Sequence, residues 1–297
     1  MNVNKPFEQI VSSLYSEKPS RNLFHYTSLR SLEGIVRDRC LWATDIHYFN
    51  DAAEMRHIAQ LLDGEIDRRI RQGCDNEKVL SQFRVWLSDR LPNGNMVFVT
   101  SFTQNGNLLS QWRGYCAPGK GVSFGFDPGL ILRCADEQSF QVGKCIYETA
   151  DQAKLVTQIV DAVSDLAKIR GEAAPNKKHP SQSYHGVFEE IENSLLHIGA
   201  LVKHPSFAEE EEWRAVSSIF TNYVEAPIHY RESLSMLVPY IHFSLAPSGE
   251  SRLFFKHVFL GPTPNINLSI NSLSRFLAKH NTGQFSVQYC GIPYRNW

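Results

Sequence analysis

Glu210 and Glu212 stand two residues apart in the stretch Phe207-Ala-Glu-Glu-Glu-Glu-Trp-Arg214, and they are the first candidates for chemistry in this chain. In an extended segment, residues at i and i+2 share a face, so both carboxylates would reach one substrate. A positive charge from Arg214 or Lys203 would keep them ionised. Such a pair suits the stabilisation of positive charge on a sugar carbon, as in cleavage of a glycosidic bond. The competing reading is a solvated, self-repelling turn, the usual fate of consecutive like charges.

Three further groupings mix polar and aromatic side chains. His25-Tyr26-Thr27 closes an apolar strand-like segment, where a histidine is more often a satisfied core residue than a functional one. Tyr48-Phe49-Asn50-Asp51, with Glu54 one turn on, reads first as an aromatic anchor before a helix cap. Ser101-Phe102-Thr103, followed by Leu109 to Tyr115 with Trp112, sits at a strand end, where loops commonly line sites. Core packing explains Trp112 equally well.

The elements that must position these residues follow from periodicity and punctuation. Helices are expected at 4–18, from a Ser28 cap to Arg39, at 52–72, 77–90, 151–170 and 184–201, and at 270–280. Strands are expected at 23–27, 41–44, 96–102, 121–126, 141–147, 213–220, 223–230, 237–245, 254–260 and 285–290. The segment 171–183 reads as an exposed loop. Strands near both ends with helices between them predict a single α+β domain over residues 1–297, its helical segments at about 52–90 and 151–201 flanking or inserted in the β core.

Composition narrows the function classes. The 297 residues are 42% hydrophobic and 21% charged with a net charge of −1, which lacks the basic footprint of a dedicated nucleic-acid binder. Six scattered cysteines form no C-x-x-C pair, and eleven histidines form no close pair at ligand spacing, so no metal site is expected. No signal peptide and no apolar run of about 20 residues is visible, so a cytoplasmic protein without membrane contact is expected. There is no H-E-x-x-H, Walker loop or G-x-S-x-G elbow. Gly119-Lys-Gly-Val-Ser-Phe-Gly125 fails as a dinucleotide fingerprint, because its spacing is wrong and it enters a strand.

The order of FHYTS, EGIVRDRCLWATDIHYFND, TSFTQ, LLSQWRGYC, GKGVSFGFD, KHPSFAEEEEWRAV, HVFLGP and IPYRNW resembles the DUF2971 family from about Leu23 to Trp297. That family is remotely similar to ADP-ribosyltransferases. The resemblance implies a split two-sheet α+β core with helical insertions, gripping NAD as co-substrate in a cleft. It implies that His25 on the first core strand, supported by Tyr26 and Thr27, holds a ribose of NAD. It implies that Tyr48 stacks on nicotinamide, with Tyr115 and Trp42 as competitors. Glu212 would bind the nicotinamide ribose, and Glu210 would orient or deprotonate the acceptor. Asn50, Asp51, Ser101, Trp112 and Arg214 would complete the cofactor wall. Thr100-Ser101-Phe102-Thr103 only approximates the Ser-Thr-Ser motif of arginine-modifying relatives, so an arginine target does not follow.

The expected function is therefore NAD-dependent ADP-ribosyl transfer to a protein or nucleic-acid acceptor, as in a bacterial toxin or phage-defence effector. Lys177-Lys178-His179 would favour nucleic acid, although a solvated loop explains that strip equally. One alternative is a non-catalytic nucleotide- or partner-binding protein on a degenerate fold. A more distant one is a Mg²⁺-dependent nuclease using Asp51, Glu54, Glu210 and Glu212. Oligomeric state is left open.

Overall fold

The apolar segment Phe98–Thr103 becomes the hub of the molecule, strand β3, and everything near the candidate residues is placed by its pairing. A computed structural model describes residues 5–49, 54–116, 121–173, 179–233, 235–248, 250, 252–280, 282–283 and 286–292. Among these, the strands are β1 (Leu23–Ser28), β2 (Cys40–Asp45), β3, β4 (Gly121–Phe126), β5 (Phe140–Lys144), β6 (Glu212–Ser217), β7 (His229–Glu232), β8 (Leu237–Ser244), β9 (His257–Leu260) and β10 (Val287–Tyr289). The helices are α1 (Lys5–Leu14), α2 (Leu29–Asp38), α3 (Glu54–Arg71), α4 (Glu77–Asn93), α5 (Leu109–Tyr115), α6 (Pro128–Glu137), α7 (Thr149–Arg170), α8 (His185–Gly199) and α9 (Ile266–Lys279).

All ten strands join one mixed sheet, so the α+β class holds, with the two expected sheets hydrogen-bonded into a single one. The sheet forks at β3. One edge of β3 pairs continuously with β6, from Val99↔Val216 to Thr103↔Glu212. The other edge is shared: its start pairs with β2 at Phe98 and Val99, and its end meets β1 at Phe24↔Thr103. One arm then runs β1-β4-β9-β10 and the other β2-β8-β7. Between the arms, the middle of β3 has no strand partner on that edge.

Alternation sorts the side chains of β3 and β6 onto two cores. Val97, Val99 and Val216 join the apolar layer built with α1, α3, α4, α7 and α8. Phe98, Phe102, Trp213 and Ala215 face the opposite layer, with α2, α6 and α9. Glu212 and Arg214 therefore lie on the Val216 side, under the helical layer.

Local chemistry sets most boundaries. Ser28 Oγ accepts from the Ser31 amide at 3.1 Å and starts α2, as expected of an N-cap. Arg39 ends that helix in the left-handed region at φ 53°. Helix α6 forms where no element is expected from the sequence. Asp127 caps it by accepting from the Gly129 amide at 2.9 Å, and Pro128 sits where its missing N–H costs nothing. The strand expected at 223–230 is shortened to β7. Asn222 accepts from the amides of Val224 and Ala226 and closes a turn first.

Phe24 is wedged between two glycines. An added Cβ at Gly125 would lie 2.6 Å from its ring, and one at Gly106 would lie 2.4 Å away. The ring therefore has no free side to retreat to. Gly125→Ala is expected to destabilise the fold by about 1–3 kcal/mol through overpacking. An unchanged urea midpoint would show that the ring has room to move.

Candidate functional site

The fork leaves the carbonyl of Ser101 without a strand partner, and His25 Nδ1 takes it at 3.0 Å. A carbonyl only accepts, so Nδ1 carries the proton and a neutral ring leaves Nε2 as an acceptor. Burial lowers the pKa of His25, with the Ser101 hydrogen bond acting in the opposite direction. The ring sits at 5.7 Å from Phe124 and 6.2 Å from Phe102, centroid to centroid.

A cleft opens at this fork, lined by Phe24, His25, Tyr26, Ser101, Phe102, Thr103, Gln111, Tyr115, Glu210 and Glu212. Its free volume is about 60 Å³, room for a small group and not for a whole dinucleotide. Any larger ligand must lie mostly across its mouth.

The two glutamates meet, though not by alternation along a strand. Glu210 ends a 3-10 turn spanning Pro205–Glu210, Glu211 takes the left-handed region at φ 42°, and Glu212 opens β6. That reversal swings Glu211 out to Arg21 at 3.2 Å and turns its two neighbours inward. Lys203 Nζ donates to Glu210 Oε2 and to Glu212 Oε2, each at 2.5 Å. Arg214 donates from Nε to Glu212 Oε1 at 2.8 Å, and from a terminal nitrogen to Oε2 at 3.3 Å. The side chains of Lys203 and Arg214 are 2% and 1% exposed. Two buried cations thus face two buried carboxylates.

The surrounding backbone fixes this quartet. Tyr147 Oη accepts from the Glu212 amide at 3.1 Å. Gln152, itself bonded to His57, donates to the carbonyls of Ile146 and Lys203. Arg214 also donates to the Ala200 carbonyl at 2.8 Å, and its guanidinium lies 5.4 Å from the Phe49 ring centroid.

Electrostatics separates the two carboxyls. Burial alone would raise the pKa of Glu212, but the adjacent Arg214 and Lys203 charges outweigh it and hold the carboxyl down at about 2. For Glu210 burial dominates over Lys203, and its pKa is raised. A pair pushed apart in this way is the pattern of an acid and base division of labour. The linkage also has a sign. Because the folded pKa of Glu212 lies below its unfolded value, its contribution to stability is complete above the unfolded carboxylate range. It is lost as pH falls towards about 2. Urea midpoints measured from pH 6 down to 2 should fall, and Glu212→Gln should flatten that fall. An unflattened profile would place the acid sensitivity elsewhere.

Of the residues singled out in sequence, His25, Tyr26, Ser101, Glu210 and Glu212 line the cleft. Tyr26 donates to the Asn105 carbonyl and accepts from the Leu108 amide, so its hydroxyl is committed to the adjoining loop. Thr27 is half-buried, and its carbonyl accepts from Cys116 Sγ. Arg214 stands behind Glu212 instead of at the cleft surface.

Three expectations are corrected. Tyr48 does not turn towards His25: it ends a 3-10 turn at Ile46–Tyr48 and lines a separate groove with His47, Asn95, Tyr223 and Tyr230. Its neighbour Phe49 is the residue that reaches the charged quartet. Trp112 is 2% exposed, with its ring 4.7 Å from Tyr26 and its Nε1 donating to Asn107, so it packs the core. Trp42 stacks on Tyr240 at 4.4 Å, on the far arm of the sheet. Asn50, Asp51, Lys177 and Lys178 lie outside the described residues.

The exposed aromatic in the cleft is Tyr115, four positions after Gln111 on α5, whereas Phe24, Tyr26 and Phe102 are buried. Gln111 is the amide of the stretch Leu109 to Tyr115 noted in sequence, where it carries no assigned role. The i, i+4 spacing that places both residues on one helical face was its available signal.

Among the described residues, no group of three or more His, Cys, Asp or Glu side chains is placed to hold a metal ion. No helix among them is long and apolar enough to cross a membrane. In comparisons with known proteins, no curated protein and no solved structure matches the chain. A family model described as "Protein of unknown function (DUF2971)" matches residues 111–215, a segment that begins at Gln111 on the cleft and ends just beyond Glu212 and Arg214.

Proposed function

We propose, on the footing of the DUF2971 family match over residues 111–215, that the cleft at the sheet fork cleaves the nicotinamide glycosidic bond of NAD⁺ and transfers ADP-ribose to an acceptor. The observation that carries this reading is the convergence of an ionised Glu212, a more readily protonated Glu210 and the neutral His25 on one cleft beside an exposed aromatic ring.

In this reading the nicotinamide ring lies against Tyr115, which takes the place first given to Tyr48. His25 Nε2 accepts from a ribose hydroxyl. Glu212 Oε1 accepts one described hydrogen bond, from Arg214, and an ionised carboxylate oxygen has room for a second, from the 2′-hydroxyl. The bond from C1′ to the ring nitrogen breaks, and its electron pair leaves with nicotinamide, neutralising the pyridinium. The oxocarbenium charge left on the sugar is stabilised by Glu212. An acceptor hydroxyl or amine, or water, then bonds to C1′ and gives its proton to Glu210. A base is most effective when its pKa lies near the working pH, and burial moves Glu210 in that direction.

A second reading has its own support. The two cations and two carboxylates are mutually compensated and buried, as in a purely structural ionic cluster. On that reading the protein is a non-catalytic nucleotide- or partner-binding one. For the nuclease reading, Asp51 lies outside the described residues, and Lys203 already bridges Glu210 and Glu212.

The test is nicotinamide release from NAD⁺ labelled in the nicotinamide ring, with cell lysate present as a source of acceptors. Release is expected, with labelled acceptor appearing when the label is moved to the adenylate. Neither release nor NAD⁺ binding would leave the non-catalytic reading.

A further inference from the structure

We infer that Gln111 reads the carboxamide of the bound ring, making this cleft selective for an aromatic primary amide over the corresponding carboxylic acid. The inference rests on the nicotinamide reading of the cleft and names the group that would recognise that ring.

Among the described residues three glutamines are buried, and two of them are fully employed. Gln82 donates to the Pro180 carbonyl and to Ser183, and accepts from the Tyr184 amide. Gln152 donates to two carbonyls and bonds His57. Gln111 is 7% exposed, its carboxamide is not among the buried groups left without a partner, and no described residue is bonded to it, so its amide atoms face the open cleft. An amide that faces a cleft keeps two donors and an acceptor available to a bound group. Gln111 is also the one of the three that lines the cleft.

Its position on α5 says what it would pair with. Tyr115 follows one turn later on the same face and is 49% exposed. Side chains at i and i+4 stand roughly 5–6 Å apart at Cβ. A planar ring stacked on Tyr115 thus brings a substituent within reach of Gln111. A primary amide offers two donors and an acceptor, so two such groups form a reciprocal pair, each N–H to the other's carbonyl. A carboxylate only accepts. It would leave the Gln111 carbonyl facing an oxygen, with Glu210 and Glu212 close by in the same cleft.

The experiment measures the affinity of the full chain for NAD⁺ and for its deamidated analogue, nicotinic acid adenine dinucleotide, by calorimetry. Wild type is compared with Gln111→Leu. Wild type should prefer the amide by about 10- to 100-fold, the ratio expected when one buried hydrogen-bonding partner is lost. Gln111→Leu should lose most of its affinity for NAD⁺ and little for the acid, so the preference collapses. The variant should melt no lower than wild type, because it removes an amide that faces the cleft and that no described residue pairs. A markedly lower melting point would reveal a structural role and overturn the inference. So would a preference that survives in Gln111→Leu, or wild type that binds both dinucleotides equally or neither. Amide-selective binding without nicotinamide release would sink the transfer reading and leave Gln111 standing. Release with no amide preference would do the reverse.

Discussion

Lys203→Met should cost about 3–5 kcal/mol of folding stability, the loss typical of breaking a buried ion pair by removing one partner. Methionine keeps the unbranched stem, and with it most of the packing of Lys203 against Phe207, whose ring centroid lies 5.0 Å from Nζ. What it removes is the charge that both Glu210 and Glu212 share. Arg214 then remains in contact with Glu212, while Glu210 is left buried without its described cation. The deficit should be largest near pH 7 and shrink on acidification. Glu210, whose pKa is already raised by burial, then takes up a proton and no longer needs a counter-charge. Lys203→Met combined with Glu210→Gln should recover part of the loss. Urea denaturation of the three proteins at pH 7 and pH 5 checks this. A change below about 1 kcal/mol at pH 7 would mean that the quartet is not held together by its lysine.

Glu212→Gln is expected to reduce nicotinamide release by about 100- to 1000-fold, the usual consequence of deleting an electrostatic group aimed at a developing charge. Glutamine preserves the shape and one carbonyl oxygen, so Arg214 keeps an acceptor. The amide nitrogen, however, cannot accept from Lys203. Some stability will be lost as well, and the assay belongs well below the melting point of the variant. The distinguishing measurement is the split between turnover and binding. A group that acts mainly in the transition state lowers kcat while leaving NAD⁺ affinity nearly unchanged. Equal losses in affinity and rate would instead mean that Glu212 only shapes the cleft.

The legibility of the sequence differed sharply between short-range and long-range features. Segments with a clean period, such as the helix over 151–170 and the alternating Val-Ser-Phe-Gly-Phe of β4, were readable because burial on one face imposes that period. Helix α6 was not, since Pro128-Gly129 looks like punctuation until Asp127 is seen capping it. The convergence of Glu210 and Glu212 was anticipated for an incorrect reason. Extended alternation was assumed, whereas the left-handed turn at Glu211 achieves it. Tyr48 is favoured over Tyr115 in sequence because a strand, a helix and a second extended stretch would return it towards His25. Which aromatic faces His25 depends on where α5 packs, and that is not a local property. The fork itself was invisible. It exists because β3 pairs with strands starting at residues 23, 40 and 212, and no window of sequence contains that junction.

That junction also has a consequence for the chain while it is being made. Glu212 follows His25 by 187 positions, a delay of roughly 10 to 40 s at about 5–20 residues per second of synthesis. During that interval β1 and β2 can find β3, but the edge of β3 destined for β6 has nothing to hold, and the two carboxylates do not yet exist. The histidine wall of the cleft is laid down early and its acidic wall late. A nascent chain therefore carries an incomplete cleft until Glu212 has emerged.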